Sequence, residues 1–338
     1  MTEHRPIDAI RNSGMSMQVG TVEESGAIIA MFEIDGGFHA IKERAIYRVQ
    51  LADEIDPQRT NIHLPNINQK VLTAGTDSSL VRQTLMQAKR LFDDHSRALG
   101  AAFDYKRGVT IAFDALKDLI VMDTMQADLN AKLKKIDEDL KAMTVKQRTM
   151  AVPAIGEVRG LAETFFQKAD HAVVDLFEIG KLFYGDQIGK KWFDSLLTLA
   201  KEKYGEDDGL TKFLIGVVPL LKFIRNTRNC IEHPKADQLV SVKDIAVLPS
   251  GHLEAPRIEV IHPETGQPSV PLAILMERIV VEYAAIFESM LAYLCDRNVQ
   301  PMSGLPLQII EHTLDQQKGF KARFGYGVQM GDQLVPFG

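Results

Sequence analysis

Residues 211–234, TKFLIGVVPLLKFIRNTRNCIEHP, carry apolar side chains at the spacing of a helix that packs inside a bundle. Successive members of the series are three or four positions apart once a single vacancy is allowed: Leu214, Val217, Leu221, Ile224 and Ile231. Pro219 should kink this helix or mark its true start, and Pro234 should close it. The stretch therefore predicts a buried helix that ends just before Pro234.

The vacancy in this apolar series is position 228, which is an arginine. A guanidinium is costly to bury unless charge and hydrogen bonds compensate it, so Arg228 requires a reason for being there. Asn229 and His233 are four residues apart and would share one helical face, and Arg225 would extend the same row. These residues form a candidate functional cluster at the end of the helix.

Four helical segments in the second half of the chain predict a mainly α fold, built as a four-helix bundle. The segments are 155–184, 192–204, 211–233 and 271–297. Two short β-type runs around a Pro-Ser-Gly turn predict a hairpin near 243–263, inserted before the last helix. An apolar stripe with a charged second half predicts a long helix over 109–143, either a connector or a dimer arm.

The first part of the chain has the pattern of a small α+β lobe. AIIAMFEI and FHAI flank Asp35-Gly36-Gly37, which predicts a hairpin turn, and AIYRVQL offers a third strand. Residues 56–70 are rich in Pro and Asn and favour an ordered loop or an extended crossing segment, and Ser78 could cap a helix over 80–94. The predicted domains are the lobe (1–100), a long connecting helix (101–150), the helical bundle (151–300) and a tail (301–338).

Composition places the chain among ordinary globular proteins. Apolar residues make up 45% and charged residues 25%, and no apolar run approaches the ~20 residues that span a bilayer. The net charge of −6 argues against a protein that coats nucleic acid over its whole surface, although one local groove is compatible with it. The only cysteines are Cys230 and Cys295, and both lie in apolar helical patterns. A reduced, cytoplasmic protein that makes no membrane contact is therefore expected.

The segment 228–233, RNCIEH, resembles the signature of HEPN domains, which are small helical bundles. The motif of that family is an arginine, a polar residue directly after it, and a histidine after four to six intervening residues. Here the gap is four, and the resemblance covers about 155–299. Arg225 lies outside the allowed spacing, so Arg228 is the motif arginine.

The resemblance implies a metal-independent endoribonuclease, active as a homodimer with the two motifs facing a shared cleft, and serving a prokaryotic defence or stress system. RNA supplies its own nucleophile, the 2′-OH, so such an enzyme has to move protons and stabilise a phosphorane. His233 would act as general base or acid, Arg228 would hold the phosphate oxygens, and Asn229 would orient the imidazole or bind the phosphate. Arg225 and Lys222 are candidate RNA-binding residues. No cofactor and no metal site are expected.

Two alternatives remain open. Arg228 and Glu232 are four apart and could form a plain intrahelical ion pair, in a non-catalytic module that dimerises or binds a protein partner. The partner surface would be the N-terminal lobe or helix 109–143. Cys230 and His233 have the spacing of two zinc ligands, but zinc needs four, and Cys295 is the only other cysteine.

Overall fold

The computed structural model describes residues 5–13, 17–94, 96–142, 151–189, 192–302, 304–331 and 333–337. The mainly α, HEPN-like four-helix-bundle fold predicted from the sequence is wrong. Among the described residues, 54% are helical and 20% are in strands, and these strands form four separate small sheets. These strands are at most seven residues long and many are exposed, so the longer helical repeats dominate the apolar pattern of the sequence.

The helices and strands alternate in groups along the chain. The helices are α1 (Pro6–Asn12), α2 (Val22–Ser25), α3 (Ala52–Ile55), α4 (Ser79–Val81), α5 (Tyr105–Ala142), α6 (Val158–Tyr184), α7 (Phe193–Tyr204), α8 (Gly209–Glu232), α9 (Leu272–Asn298) and α10 (Leu314–Phe320). The strands are β1 (Ile28–Ile34), β2 (Gly37–Lys42), β3 (Ile46–Gln50), β4 (Ile67–Leu72), β5 (Leu239–Lys243), β6 (Ala246–Val247), β7 (Leu253–Glu254), β8 (Arg257–Ile261), β9 (Gln267–Pro271), β10 (Leu307–Glu311), β11 (Phe324–Met330) and β12 (Gln333–Pro336).

The N-terminal sheet is antiparallel, with strand order β1-β2-β3-β4. Its first hairpin turns through Asp35 and Gly36, both at positive φ (49° and 68°), which matches the handedness of a two-residue turn between twisted strands. The predicted hairpin and third strand are confirmed. β4 was not predicted, because it comes from the Pro- and Asn-rich segment and its first four residues are exposed.

The helix predicted over 80–94 is also confirmed, with an unexpected geometry. α4 continues directly into two π-helical segments, Arg82–Met86 and Lys89–Asp93. The side chain of Ser78 makes no capping hydrogen bond, so the predicted cap is wrong.

Five long helices surround the main apolar core. α5 packs against α6 more extensively than any other two elements pack in the described part of the chain, and it also packs against α9. Leu116, Leu119 and Met122 of α5 are fully buried there. The first half of the predicted connecting helix is therefore part of the core, whereas side chains 130–139 are mostly exposed. Residues 143–150 of that prediction lie outside the described residues.

α8 confirms three members of the predicted apolar series, whereas the other two, Val217 and Ile231, are only half-buried. Leu214, Leu221 and Ile224 are fully buried, and the helix begins at Gly209 and continues through Pro219. Pro219 therefore does not mark the start. The helix ends at Glu232, as expected from Pro234.

The insertion between α8 and α9 is larger than the predicted hairpin near 243–263. It contains a three-stranded sheet, β5-β8-β9, and a two-stranded one, β6-β7. The C-terminal tail forms the fourth small sheet, β10-β11-β12, and α10 lies between its first two strands.

One apolar cluster extends from the N-terminal sheet through the long helices to the C-terminal sheet. Its fully buried members include Ile41, Leu85, Phe166, Ile279 and Tyr326. The domain boundaries at residues 100, 150 and 300 stay a prediction. No helix in the described ranges is both long and apolar enough to cross a bilayer.

Candidate functional site

The predicted cluster lies where α8 ends. Asn229 belongs to its last turn, Arg228 directly precedes that turn, and His233 is the C-cap residue, with φ −132° and ψ 62°. The His233 backbone N–H still donates to the Asn229 carbonyl at 2.8 Å, but the backbone of His233 is no longer helical. The imidazole therefore leaves the helical row predicted for it, and 75% of its side chain is exposed.

Arg228 is tied to three neighbours. Its Nη2 lies 2.8 Å from Oε2 of Glu232, and its Nη1 donates to Oδ1 of Asn229 at 3.2 Å. Its Nε lies 3.8 Å from Oδ2 of Asp170, on the neighbouring helix α6. These contacts explain why an arginine is tolerated in the apolar series, since its charge is compensated on two sides.

Asp170 is the residue of this site that sequence reasoning missed. It is 8% exposed, and burial raises the pKa of its carboxyl, while the positive charges of Arg225 and Arg228 oppose this rise. Its Oδ1 and the Arg228 Nε are buried without a hydrogen bond among the described residues. The missed signal was of the same kind as at Arg228, because Asp170 interrupts the buried face between Phe166 and Val173.

Glu232 connects the two motif side chains. Its Oε2 lies 2.8 Å from Nη2 of Arg228 and 3.9 Å from Nε2 of His233. One carboxylate oxygen therefore lies near a nitrogen of each motif side chain. The intrahelical Arg228–Glu232 pair expected under the non-catalytic alternative is present.

The two predicted RNA-binding side chains extend from this cluster towards α7. The guanidinium of Arg225 lies over the ring of Trp192, 4.7 Å from its centre, and contributes to the field at Asp170. Lys222 pairs with Asp194 of α7 through a 2.8 Å contact. The charge of Arg225 therefore acts on the cluster. Lys222 instead forms its ion pair with α7, outside the cluster.

Cys230 points away from the cluster. It is 2% exposed, its Sγ lies 3.9 Å from the Ile261 carbonyl of β8, and burial raises the pKa of its thiol. Both cysteines are buried and unpaired. Within the described ranges, no three or more His, Cys, Asp or Glu side chains are grouped as a metal site requires.

The arrangement has nearly balanced charge. Arg225 and Arg228 oppose Asp170 and Glu232, and an exposed imidazole adds one group able to accept or release a proton. An incoming anion would reach Arg228 by replacing the carboxylate of Glu232. Comparison of the chain with protein-family models, with curated proteins and with solved structures finds no match.

Proposed function

We propose that the end of α8 cleaves RNA by attack of the ribose 2′-OH on the adjacent phosphodiester, without a metal requirement. The observation that supports this most is the convergence of Arg228 and His233 on one oxygen of Glu232, on a side of the site where the imidazole is open to solvent. A carboxylate oxygen that lies between the guanidinium and the imidazole marks a position suited to a non-bridging phosphate oxygen.

The proposed chemistry uses the residues as follows. Phosphate displaces the Glu232 carboxylate from Arg228, which then stabilises the charge that grows on the phosphorane. The released carboxylate accepts the 2′-OH proton as the 2′-oxygen forms its bond to phosphorus. His233 protonates the 5′-oxygen as the phosphorus–oxygen bond to it breaks, leaving a 2′,3′-cyclic phosphate and a 5′-OH.

Asn229 has a different role in this proposal from the one expected. Because its Oδ1 accepts a hydrogen bond from Arg228, Asn229 orients the guanidinium rather than the imidazole. Asp170 holds the other side of the same guanidinium. Both act as positioning residues for Arg228.

The proposal includes RNA as substrate, a homodimer and a cytoplasmic location. Two buried, unpaired cysteines are compatible with a reducing compartment. A second copy would double the set of proton-transfer groups across a shared cleft. The homodimer is checked by sedimentation of the full chain.

A non-catalytic interaction module is the second candidate, and a specific observation favours it. Arg228 is balanced by Glu232 and, on α6, by Asp170, so the cluster can serve to fasten the end of α8 to α6. In that case the partner surface would be the N-terminal lobe or the exposed second half of α5.

A cleavage assay with matched controls separates these candidates. We expect the purified chain to cut mixed RNA in the presence of a chelator and to leave DNA and 2′-O-methyl RNA intact. Arg228→Ala and His233→Ala should each reduce the rate at least about 100-fold, because each removes a group that acts in the transition state.

The controls are Arg278→Ala, which removes an exposed intrahelical Arg–Glu pair of α9 with the same 2.8 Å separation, and His252→Ala, at an exposed histidine. Both should cleave at the wild-type rate. Absence of cleavage by the wild type under all conditions, or cleavage insensitive to both site substitutions, would contradict the proposal. Lower stability of Arg228→Ala without any wild-type nuclease activity would support the interaction module.

A further inference from the structure

A cavity of about 620 Å³ lies far along the chain from the α8 cluster. It opens between the helix that starts at Ser79, the middle of α9, and the segment from β10 to the start of β11. Its volume falls in the range of small-molecule sites, which is about 300–1,000 Å³. None of its lining residues belongs to the Arg228 cluster, so it is a separate candidate site.

The cavity wall has more positive than negative charge. Its cations are Arg82, Lys318, Lys321 and Arg323, and its acids are Glu288 and Glu311. Two of the cations are compensated by exposed acids, since Lys318 pairs with Asp315 at 3.1 Å and Arg323 with Glu311 at 2.8 Å.

The excess of positive charge comes from the other two cations, Arg82 and Lys321. The Nη1 of Arg82 donates to the carbonyl oxygens of Thr76 and Asp77 at 2.6 and 2.8 Å, which orients the guanidinium without neutralising it. The half-buried Lys321 ammonium has no ion-pair partner in the described ranges. Arg82 and Lys321 thus present to one cavity two charges that have no ion-pair partner among the described residues, an arrangement that suits a phosphate group.

The backbone at Lys321 supports a role for this side chain. Lys321 ends α10 in the left-handed region, with φ +56°, which is uncommon for a residue other than glycine or asparagine. This turn brings the chain from α10 to Arg323, so that both side chains line the same cavity. A glycine would form the turn with less strain and would lack the charge.

Glu288 supplies the deepest polar group of the cavity. Only 4% of this α9 residue is exposed, and burial raises the pKa of its carboxyl. Its Oε2 lies 3.6 Å from Nη1 of the half-exposed Arg323, a loose contact for so deeply buried an acid. Gln83 lies beside it in the cavity wall, and its side-chain amide donates a hydrogen bond to this carboxyl. A buried carboxyl and an amide offer the hydrogen-bonding groups that match the edge of a nucleobase.

We propose that this cavity binds a nucleoside monophosphate, with the phosphate held by Arg82 and Lys321 and the base hydrogen-bonded to Glu288. Leu314, whose surface is 77% exposed at the cavity, provides an apolar contact for the ribose or the base. The assignment is independent of RNA cleavage at α8, because the two sites share no residue.

Isothermal titration of the full chain with AMP, GMP, CMP and UMP tests the proposal. We expect saturable binding of at least one of them, with ribose 5-phosphate and inorganic phosphate binding at least about tenfold more weakly. Lys321→Gln removes a charge that has no ion-pair partner in the part of the chain that the structure describes, and it should weaken nucleotide binding about tenfold. Glu288→Gln should reduce nucleotide binding and leave ribose 5-phosphate binding unchanged.

Lys132→Gln, at an exposed lysine of α5, is the matched control and should bind as the wild type does. Thermal unfolding of each variant identifies any that fail to fold. Absence of binding by all four nucleotides, equal affinity for ribose 5-phosphate, or full binding by Lys321→Gln would overturn the proposal. Arg228→Ala should retain binding, and its loss would contradict a separate site.

Discussion

Among single residues, Asp175 gives the stability of the fold a testable pH dependence. It lies on α6, where burial first, and then the negative charges of Asp114 and Asp118, raise the pKa of its carboxyl to about 7. An aspartate in an unfolded chain has a pKa of about 3.9. The folded protein therefore favours the protonated carboxyl of Asp175. The contribution of this group to the free energy of unfolding is present below about pH 4 and is lost as the pH rises through 7.

Asp175→Asn should remove this loss, because the amide stays neutral at every pH. We compare the free energy of unfolding of the variant with that of the wild type at two pH values. The advantage of the variant should be about 1–2 kcal/mol larger at pH 8.5 than at pH 5. Urea unfolding at both pH values measures the difference. Asp128→Asn, at an exposed position of α5, makes the same charge change and should show little pH-dependent gain. An equal gain in both variants would refute the assignment.

Residue by residue, the candidate site was partly readable from the sequence. Arg228 was identified because a cation interrupted a clear apolar series, and that reasoning applied equally to Asp170, which was overlooked. The direction of His233 was not readable, because a C-cap residue leaves the helical geometry on which the spacing argument depends. The Arg228–Glu232 pair follows directly from helical spacing and is present.

At the level of elements, Gln87 joins the C-terminal sheet to the π-helical region. This fully buried residue accepts hydrogen bonds at Oε1 from the backbone N–H groups of Arg323 and Phe324, at 3.0 and 2.9 Å. Its Nε2 donates to the Phe324 carbonyl at 3.0 Å. One side chain thus satisfies three backbone groups at the start of β11.

Gln87→Leu should lower the free energy of unfolding by about 2–4 kcal/mol, because it leaves those backbone groups without partners. Chemical denaturation gives the value. Gln308→Leu makes the same replacement at an exposed position of β10 and should change stability by less than about 0.5 kcal/mol. Similar losses in the two variants would show that Gln87 is not the connection described.

The elements that the sequence predicted are those whose formation depends on residues close together in the chain. The β1–β2 hairpin follows from an Asp-Gly turn, and α8 from a regular apolar repeat. β4 and β9 were missed because both are short, β4 is largely exposed and β9 is only half-buried, and they exist by pairing with strands already in place. The two π-helical segments have no signal in residue spacing, because they lie within one continuous helix.

At the scale of the whole molecule, the apolar core connects regions that the sequence suggested were separate. Leu85, in the N-terminal third, and Phe166 and Ile279, in the long helices, belong to one buried cluster, which also includes Tyr326 of β11. A cluster of this extent favours unfolding of these regions as one cooperative unit. The predicted boundary near residue 100 instead favours independent unfolding of the N-terminal lobe.

The single tryptophan allows these two possibilities to be distinguished. Trp192 lies in the helical region, with its ring centre 4.8 Å from that of Phe193, so its fluorescence reports on that region alone. Leu85→Ala truncates a fully buried side chain on the other side of the predicted boundary and should cost about 2–5 kcal/mol. If the core is cooperative, the free energy of unfolding obtained from Trp192 fluorescence in urea falls by this amount. The fluorescence transition then also coincides with the loss of circular dichroism.

Leu305→Ala is the control, because its side chain is 47% exposed, and it should leave both the fluorescence and the circular dichroism transitions unchanged. An unshifted Trp192 transition in Leu85→Ala would establish the lobe as a separate folding unit, because destabilisation passes between regions only when they unfold together.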